Sequence, residues 1–79
     1  QGPLRLYVGN LHVNVTEDEL RKIFEPYGEL DFVSIQKDVE TARSRGYGFI
    51  QFRKTEDGKR AMTQVNGHEL MGKQLRLNA

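Results

Sequence analysis

The octapeptide Arg45–Phe52, RGYGFIQF, limits the possible folds more than any other stretch of the chain. As a β-strand it sends successive side chains to opposite faces. Ile50 and Phe52 then share one face, and Tyr47 and Phe49 share the other. A strand that is apolar on both faces calls for cover on both. A chain of 79 residues forms one domain with one small core. Whether it has enough structure to cover both faces depends on the other elements.

Arg5–Leu11, RLYVGNL, reads as the first strand, with Leu6 and Val8 alternating against Tyr7 and Gly9. Thr16 followed by Glu19 is a capping box that starts a helix near Glu17. Leu20, Ile23 and Phe24 form its apolar stripe, and Pro26 and Gly28 end it. Leu30–Lys37, LDFVSIQK, is the second strand, and Asp38–Ser44 a polar loop. RGYGFIQF is the third. Thr55 is expected to cap a second helix with the stripe Ala61, Met62 and Val65. Asn66-Gly67 and Met71-Gly72 mark turns, and Gln74–Asn78 is a last short strand.

The order βαββαβ predicts an α+β, ferredoxin-like sandwich: a four-stranded antiparallel sheet with two helices on one face. Two helices of about three turns cover one face of such a sheet and leave the other open. The covered face is expected to carry Leu6, Val8, Val33, Ile35, Ile50, Phe52, Leu75 and Leu77. Gly46 and Gly48 are expected there too, allowing close approach. The open face then carries Tyr7, Gly9, Ser34, Gln36, Tyr47, Phe49, Gln51, Arg76 and Asn78. Most of these are polar, as an open antiparallel face should be. Three aromatic rings are the exception. Phe32 has the parity of the polar face; it reads as a ring tucked over the sheet edge, the alternative being a fourth ring on the open face.

Exposed contiguous aromatics mark a binding surface. Bases stack on aromatic rings whatever their identity. Arg45 starts the same strand and is placed to hold a phosphate, and Arg76 has open-face parity. Lys37 is a further candidate cation. Ser34, Gln36 and Asn78 supply donors and acceptors at the margins. Such an arrangement suits unpaired nucleic acid. Net charge is only +1, with 12 basic and 11 acidic residues, so a protein that grips duplex mainly by charge is not indicated.

These residues carry a family resemblance. RGYGFIQF follows the RNP1 pattern of the RNA-recognition motif, Lys/Arg-Gly-Phe/Tyr-Gly/Ala-Phe-Val-x-Phe/Tyr, with Ile50 in the valine position. LYVGNL, Leu6–Leu11, resembles its paired hexamer, and the similarity runs over nearly the whole chain. More narrowly, GPLRLYVGNLHVNVTEDELRKIFEPYG and KDVETARSRGYGFIQF are similar to the second such domain of CAPER-type splicing coactivators. These are relatives of the large splicing-factor subunit that reads polypyrimidine tracts. The resemblance implies strand order 4-1-3-2, with Tyr7 stacking one base and Phe49 its neighbour. It further implies Tyr47 on the sugars, Arg45 on phosphate, single-stranded RNA as partner, and pre-mRNA splicing in the nucleus as the setting. Ala42 departs from the pattern: the family commonly has glycine there, which permits positive φ. A different loop shape is expected, so no loop contact, Arg43 included, is carried over.

Two other functions compete. Some relatives bind a tryptophan-bearing peptide of another protein on the helical side, through Arg-x-Phe before the last strand and an acidic first helix. NGHELMGKQL lacks that triplet, and Arg21 and Lys22 dilute Glu17, Asp18, Glu19 and Glu25. An enzyme would need a nucleophile–base pair, a phosphate loop or paired carboxylates, and none is evident. No cofactor is indicated. His12 and His68 are isolated, and without cysteine there is neither disulfide nor thiolate metal site. Asn14-Val15-Thr16 matches a glycosylation sequon, a weak signal by itself. No apolar run has membrane-spanning length, and a monomeric domain is expected. Residues 1–4 read as linker or tag remnant and 5–79 as the domain. A chain opening at Gln1 without methionine is expected to be a piece of a longer protein.

Overall fold

The structure, a computed structural model, describes residues 2–79; Gln1, part of the expected linker, lies outside the described residues. Along the chain run β1 (Leu4–Gly9), α1 (Glu17–Phe24), a 3-10 turn (Glu25–Tyr27), β2 (Leu30–Lys37) and β3 (Ser44–Phe52). There follow α2 (Thr55–Val65), β4 (Glu69–Leu70), β5 (Lys73–Gln74) and β6 (Arg76–Asn78). Four strands form one antiparallel sheet in the order β2-β3-β1-β6. This is the predicted ferredoxin-like order, with the two aromatic strands adjacent in the centre.

The register of β1 on β3 sorts the faces. Leu6 pairs with Ile50 and Leu4 with Phe52, while Tyr7 pairs with Phe49. Leu6, Val8, Ile50 and Phe52 are wholly buried. Against them pack Leu20 and Phe24 of α1 and Ala61 and Val65 of α2. Phe24 meets Phe52 edge-on, with ring centroids 6.3 Å apart, a preferred aromatic geometry. Gly48 lies on this face as expected. A side chain there would strike the Ser34 carbonyl oxygen and the Ile35 Cα, so glycine lets β2 and β3 close up. Gly46 serves a different need from the expected close approach. Its φ of +85° is one that glycine adopts freely, and its carbonyl accepts the Leu11 N–H at 2.9 Å.

The capping box is formed as read. Thr16 Oγ1 accepts the Glu19 N–H (3.1 Å) and Glu19 Oε1 accepts the Thr16 N–H (2.9 Å). In the same first turn, Glu17 Oε2 accepts the Ile35 N–H at 2.9 Å, covering a main-chain donor on the edge strand β2. Thr55, by contrast, does not cap α2. It is the first helical residue, the cap position is Lys54 without a side-chain bond, and Thr55 Oγ1 donates to the Gly2 carbonyl. The first strand starts one residue earlier than read, taking Leu4 from the expected linker. It ends at Gly9, where Asn10 turns to φ +59°.

The last strand is shorter than expected. Gln74 pairs with Glu69 in a small β4–β5 hairpin, Leu75 drops into the core, and only Arg76–Asn78 join the main sheet. In the β2–β3 loop Ala42 takes φ +63°, the conformation glycine would supply, contrary to the expected change of shape. Asp38 holds it there. Its side chain accepts the Glu40 and Thr41 N–H groups, and its carbonyl accepts the Ala42 N–H. The Thr41 and Glu40 amides hold the Asp38 carboxyl below its usual range. Since Thr16 caps and Thr55 does not, Thr16→Ala is expected to cost about 1 kcal/mol. Thr55→Ala is expected to stay within about 0.5 kcal/mol. Urea unfolding of both variants checks this, and equal losses would contradict it.

Candidate nucleic-acid interface

On the face away from the helices the sheet forms a grid. One row runs Ser34, Phe49, Tyr7, Asn78 across β2, β3, β1 and β6, and the next brings Gly9 beside Arg76. Tyr47 follows Phe49's parity into that second row. Tyr7 is 39% exposed; Tyr47 and Phe49 are half-buried. Ring centroids lie 5.7 Å apart for Tyr7–Tyr47, inclined by 30°. They lie 6.1 Å apart for both Tyr7–Phe49 and Tyr47–Phe49, each edge-on. The three rings make one continuous surface.

Gly9 is what lets Tyr7 lie down. A Cβ at Gly9 would stand 2.5 Å from Tyr7 Oη and 2.6 Å from its Cε2. With hydrogen in that place the phenol ring lies along β1 and meets Tyr47.

The other expected residues fall in two groups. Arg45 approaches the patch, its Cζ 6.0 Å from the Tyr47 centroid. Arg76 and Asn78 are exposed on β6, and Ser34 and Gln36 are half-buried on β2, linked by a long Gln36 Nε2 to Ser34 Oγ bond of 3.4 Å. Lys37 is not brought to this face. It continues the parity of Val33 and Ile35, and its Nζ sits 3.7 Å from Glu17 Oε2 of α1, so the expectation of a binding cation there is corrected.

Two residues were missed or misread. Arg5 shares Tyr7's parity, and its guanidinium carbon lies 4.9 Å from the Phe49 centroid. Counting two back from Tyr7 would have found it. Phe32 is not tucked over the edge. A bulge at Asp31 lets Leu30 face Phe52 and Phe32 face Gln51, so Phe32 belongs to the open face and is 37% exposed. Arg5, Arg45 and Arg76 make no ion pair among the described residues, whereas Arg53 and Arg60 do. No cluster of His, Asp or Glu among the described residues could hold a metal. Among the described residues no helix is long and apolar enough to cross a membrane.

An open aromatic sheet face on a βαββαβ sandwich defines a class of single-domain binding modules. The family profile of the RNA recognition motif matches residues 6–76, and the chain belongs to that family, whose members bind and do not catalyse. It is 55% identical over 76 residues to the human protein named "Probable RNA-binding protein 23", covering 96% of this chain and 17% of that one. It thus spans about one sixth of that relative's length. The first two domains of yeast poly(U)-binding protein Pub1 superpose with a TM-score of 0.91 at 37% identity, covering 96% of this chain and 46% of that one. RNA-binding protein PG1 superposes at 0.92 with 33% identity, covering 95% and 90%.

Because the atoms nearest to a methyl at Gly9 all belong to the far end of the Tyr7 side chain, Gly9→Ala is expected to leave the fold intact and swing Tyr7 away. Ring-to-ring NOEs between Tyr7 and Tyr47 should vanish in that variant, and their persistence would contradict this account of Gly9.

Proposed function

We propose that this chain binds single-stranded RNA across the open face of β1 and β3. The observation that carries this is the single aromatic surface of Tyr7, Tyr47 and Phe49 on the side without helices. Tyr7 and Phe49 stack neighbouring bases, Tyr47 packs on the sugars between them, and Arg45 holds phosphate. Arg76 and Arg5 extend the basic rim, while Ser34, Gln36 and Asn78 serve the base edges. Membership of the RNA recognition motif family supports this assignment.

Arg5 over Phe49 does not block the site. A cation–π contact at an exposed position is worth about 0.5–1 kcal/mol, and a base stack about 1–3 kcal/mol, so the base displaces the guanidinium. Two stacks supply about 2–6 kcal/mol, less than the ~8 of a micromolar complex. Phosphate contacts and base edges make up the difference, and micromolar affinity is expected for the isolated domain.

The biological setting inferred is pre-mRNA splicing in the nucleus, on the strength of the similarity to the second domain of CAPER-type coactivators. Peptide docking on the helical side is the weaker reading. The exposed large apolar residues are Tyr7, Val13, Phe32, Val39 and Met71, and none of them lies on α1 or α2. The apolar residues of α1 and α2 that are not fully buried, Ile23 and Met62, are packed against the core.

Binding of random RNA pentamers, followed by fluorescence anisotropy, tests the proposal. Tyr7→Ala and Phe49→Ala should each weaken it by about 1–3 kcal/mol. With Arg45 and Arg76 among two or three phosphate contacts, log affinity should fall with log salt at a slope of about −2. Unchanged affinity in both variants, or a slope near zero, would contradict these roles.

A further inference from the structure

The open face changes chemistry at the end away from Arg76. There the β2 bulge sets Asp31 and Phe32 against Gln51 of β3. Gln51 stands two residues beyond Phe49 on the same face, about 7 Å along the strand. Arg5 faces Gln51 from β1. Across the sheet this row therefore reads guanidinium, amide and, on β2, the Phe32 ring with the Asp31 carboxylate beside it.

Hydrogen bonds fix what the row offers. Gln51 Nε2 donates to Asp31 Oδ2 at 3.0 Å, and Arg53 Nε donates to Asp31 Oδ1 at 3.1 Å. A carboxylate only accepts, so the amide nitrogen must face Asp31 and Gln51 Oε1 is turned away from it. The Gln51 and Arg53 bonds lower the Asp31 pKa, so the group stays ionised near neutral pH and does not become a donor. Each carboxylate oxygen keeps a second lone pair, and the side chain remains 27% accessible. Arg53 is itself shared with Glu29 at 3.5 Å, so this corner carries no surplus positive charge to attract phosphate.

We infer that Asp31 and Gln51 are specificity-determining residues that select a base bearing an exocyclic amino group over uracil at the Phe49 stack. This deepens the RNA-binding proposal and rests on it. A base on Phe49 displaces Arg5, whose donors then stand at that base's β1 side, while the carboxylate of Asp31 stands toward β2 and Gln51 Oε1 lies between the two. Guanine matches this polarity best. Its O6 meets the guanidinium, and its N1–H and N2 amino group meet the acceptors. Cytosine and adenine bring one amino group to the same acceptors, as in the pairing of Asp with the cytosine amino group. Uracil carries a carbonyl on each side of its single N–H. Whichever carbonyl faces Arg5, the other faces the carboxylate.

The test compares pentauridine with pentamers carrying one G, A or C at each position in turn, measured by fluorescence anisotropy. At one position guanine should bind about tenfold tighter than uracil, with adenine and cytosine between them. In Asp31→Asn and in Gln51→Leu that ratio should shrink to about twofold or less, on the scale of one lost base-edge contact. Pentauridine itself should bind each variant no more weakly than the unaltered chain. The ratio is taken within each variant, so a general change in charge or stability cancels. Gln51→Leu leaves the Asp31–Arg53 pair in place and serves if Asp31→Asn perturbs the sheet. Uracil bound as tightly as the amino-bearing bases at every position would overturn the inference, as would a guanine preference that survives both substitutions. In either case the RNA-binding proposal would stand. Failure of every pentamer to bind would overturn both together.

Discussion

The antiparallel pairing of β1 with β3 is the constraint on which the rest of the structure depends. Tyr7 opposite Phe49 and Leu6 opposite Ile50 commit each strand to one core face and one aromatic face. A slip of one residue would exchange them, burying the phenol of Tyr7 under the helices and exposing Leu6. The two helices fill the core side with Leu20, Phe24, Ala61 and Val65, and among the described residues no third layer lies on the other side. The rings are left open because both described helices are spent on the core face.

Local chemistry then sets each ring in place. Gly9 clears the space in which Tyr7 lies flat, Gly48 draws β2 against β3, and Gly46 turns a carbonyl toward Leu11. The charge on the face is uneven. Arg45 and Arg76 flank Tyr47 and Gly9, whereas Asp31 and Glu29 share Arg53 at the opposite corner. A phosphate backbone is drawn to the first end, and base edges are left with the second. That asymmetry gives the surface a direction, which stacking alone does not.

Much of this was legible in the sequence because it depends on period and on local hydrogen bonding. The alternation in LYVG and GFIQF fixed the faces, and Thr16-x-x-Glu19 fixed a helix start. What escaped depends on longer-range geometry. Phe32 already had open-face parity in the sequence; what was not legible is the bulge at Asp31, which turns Leu30 toward Phe52 while Phe32 stays opposite Gln51. Lys37 was taken for a binding cation because its partner, Glu17, belongs to a helix twenty residues earlier in the chain. Arg5 was passed over as a strand end, though its parity was available. Thr55 has the residue type of a cap, but its hydroxyl is committed to the Gly2 carbonyl. Ala42 keeps the left-handed turn because the side chain and main chain of Asp38 bind the loop around it, which no single position announces.

The central claim is that nucleotides lie on the side of the sheet without helices. It is tested most directly by NMR titration of the chain with single-stranded RNA. The signals followed are the ring protons of Tyr7, Tyr47 and Phe49 and the backbone amides of α1 and α2. The account predicts large ring-proton shifts, with intermolecular NOEs from those rings to bases and riboses, while the helix amides stay still. Shifts concentrated on the helices with the rings unmoved would contradict it.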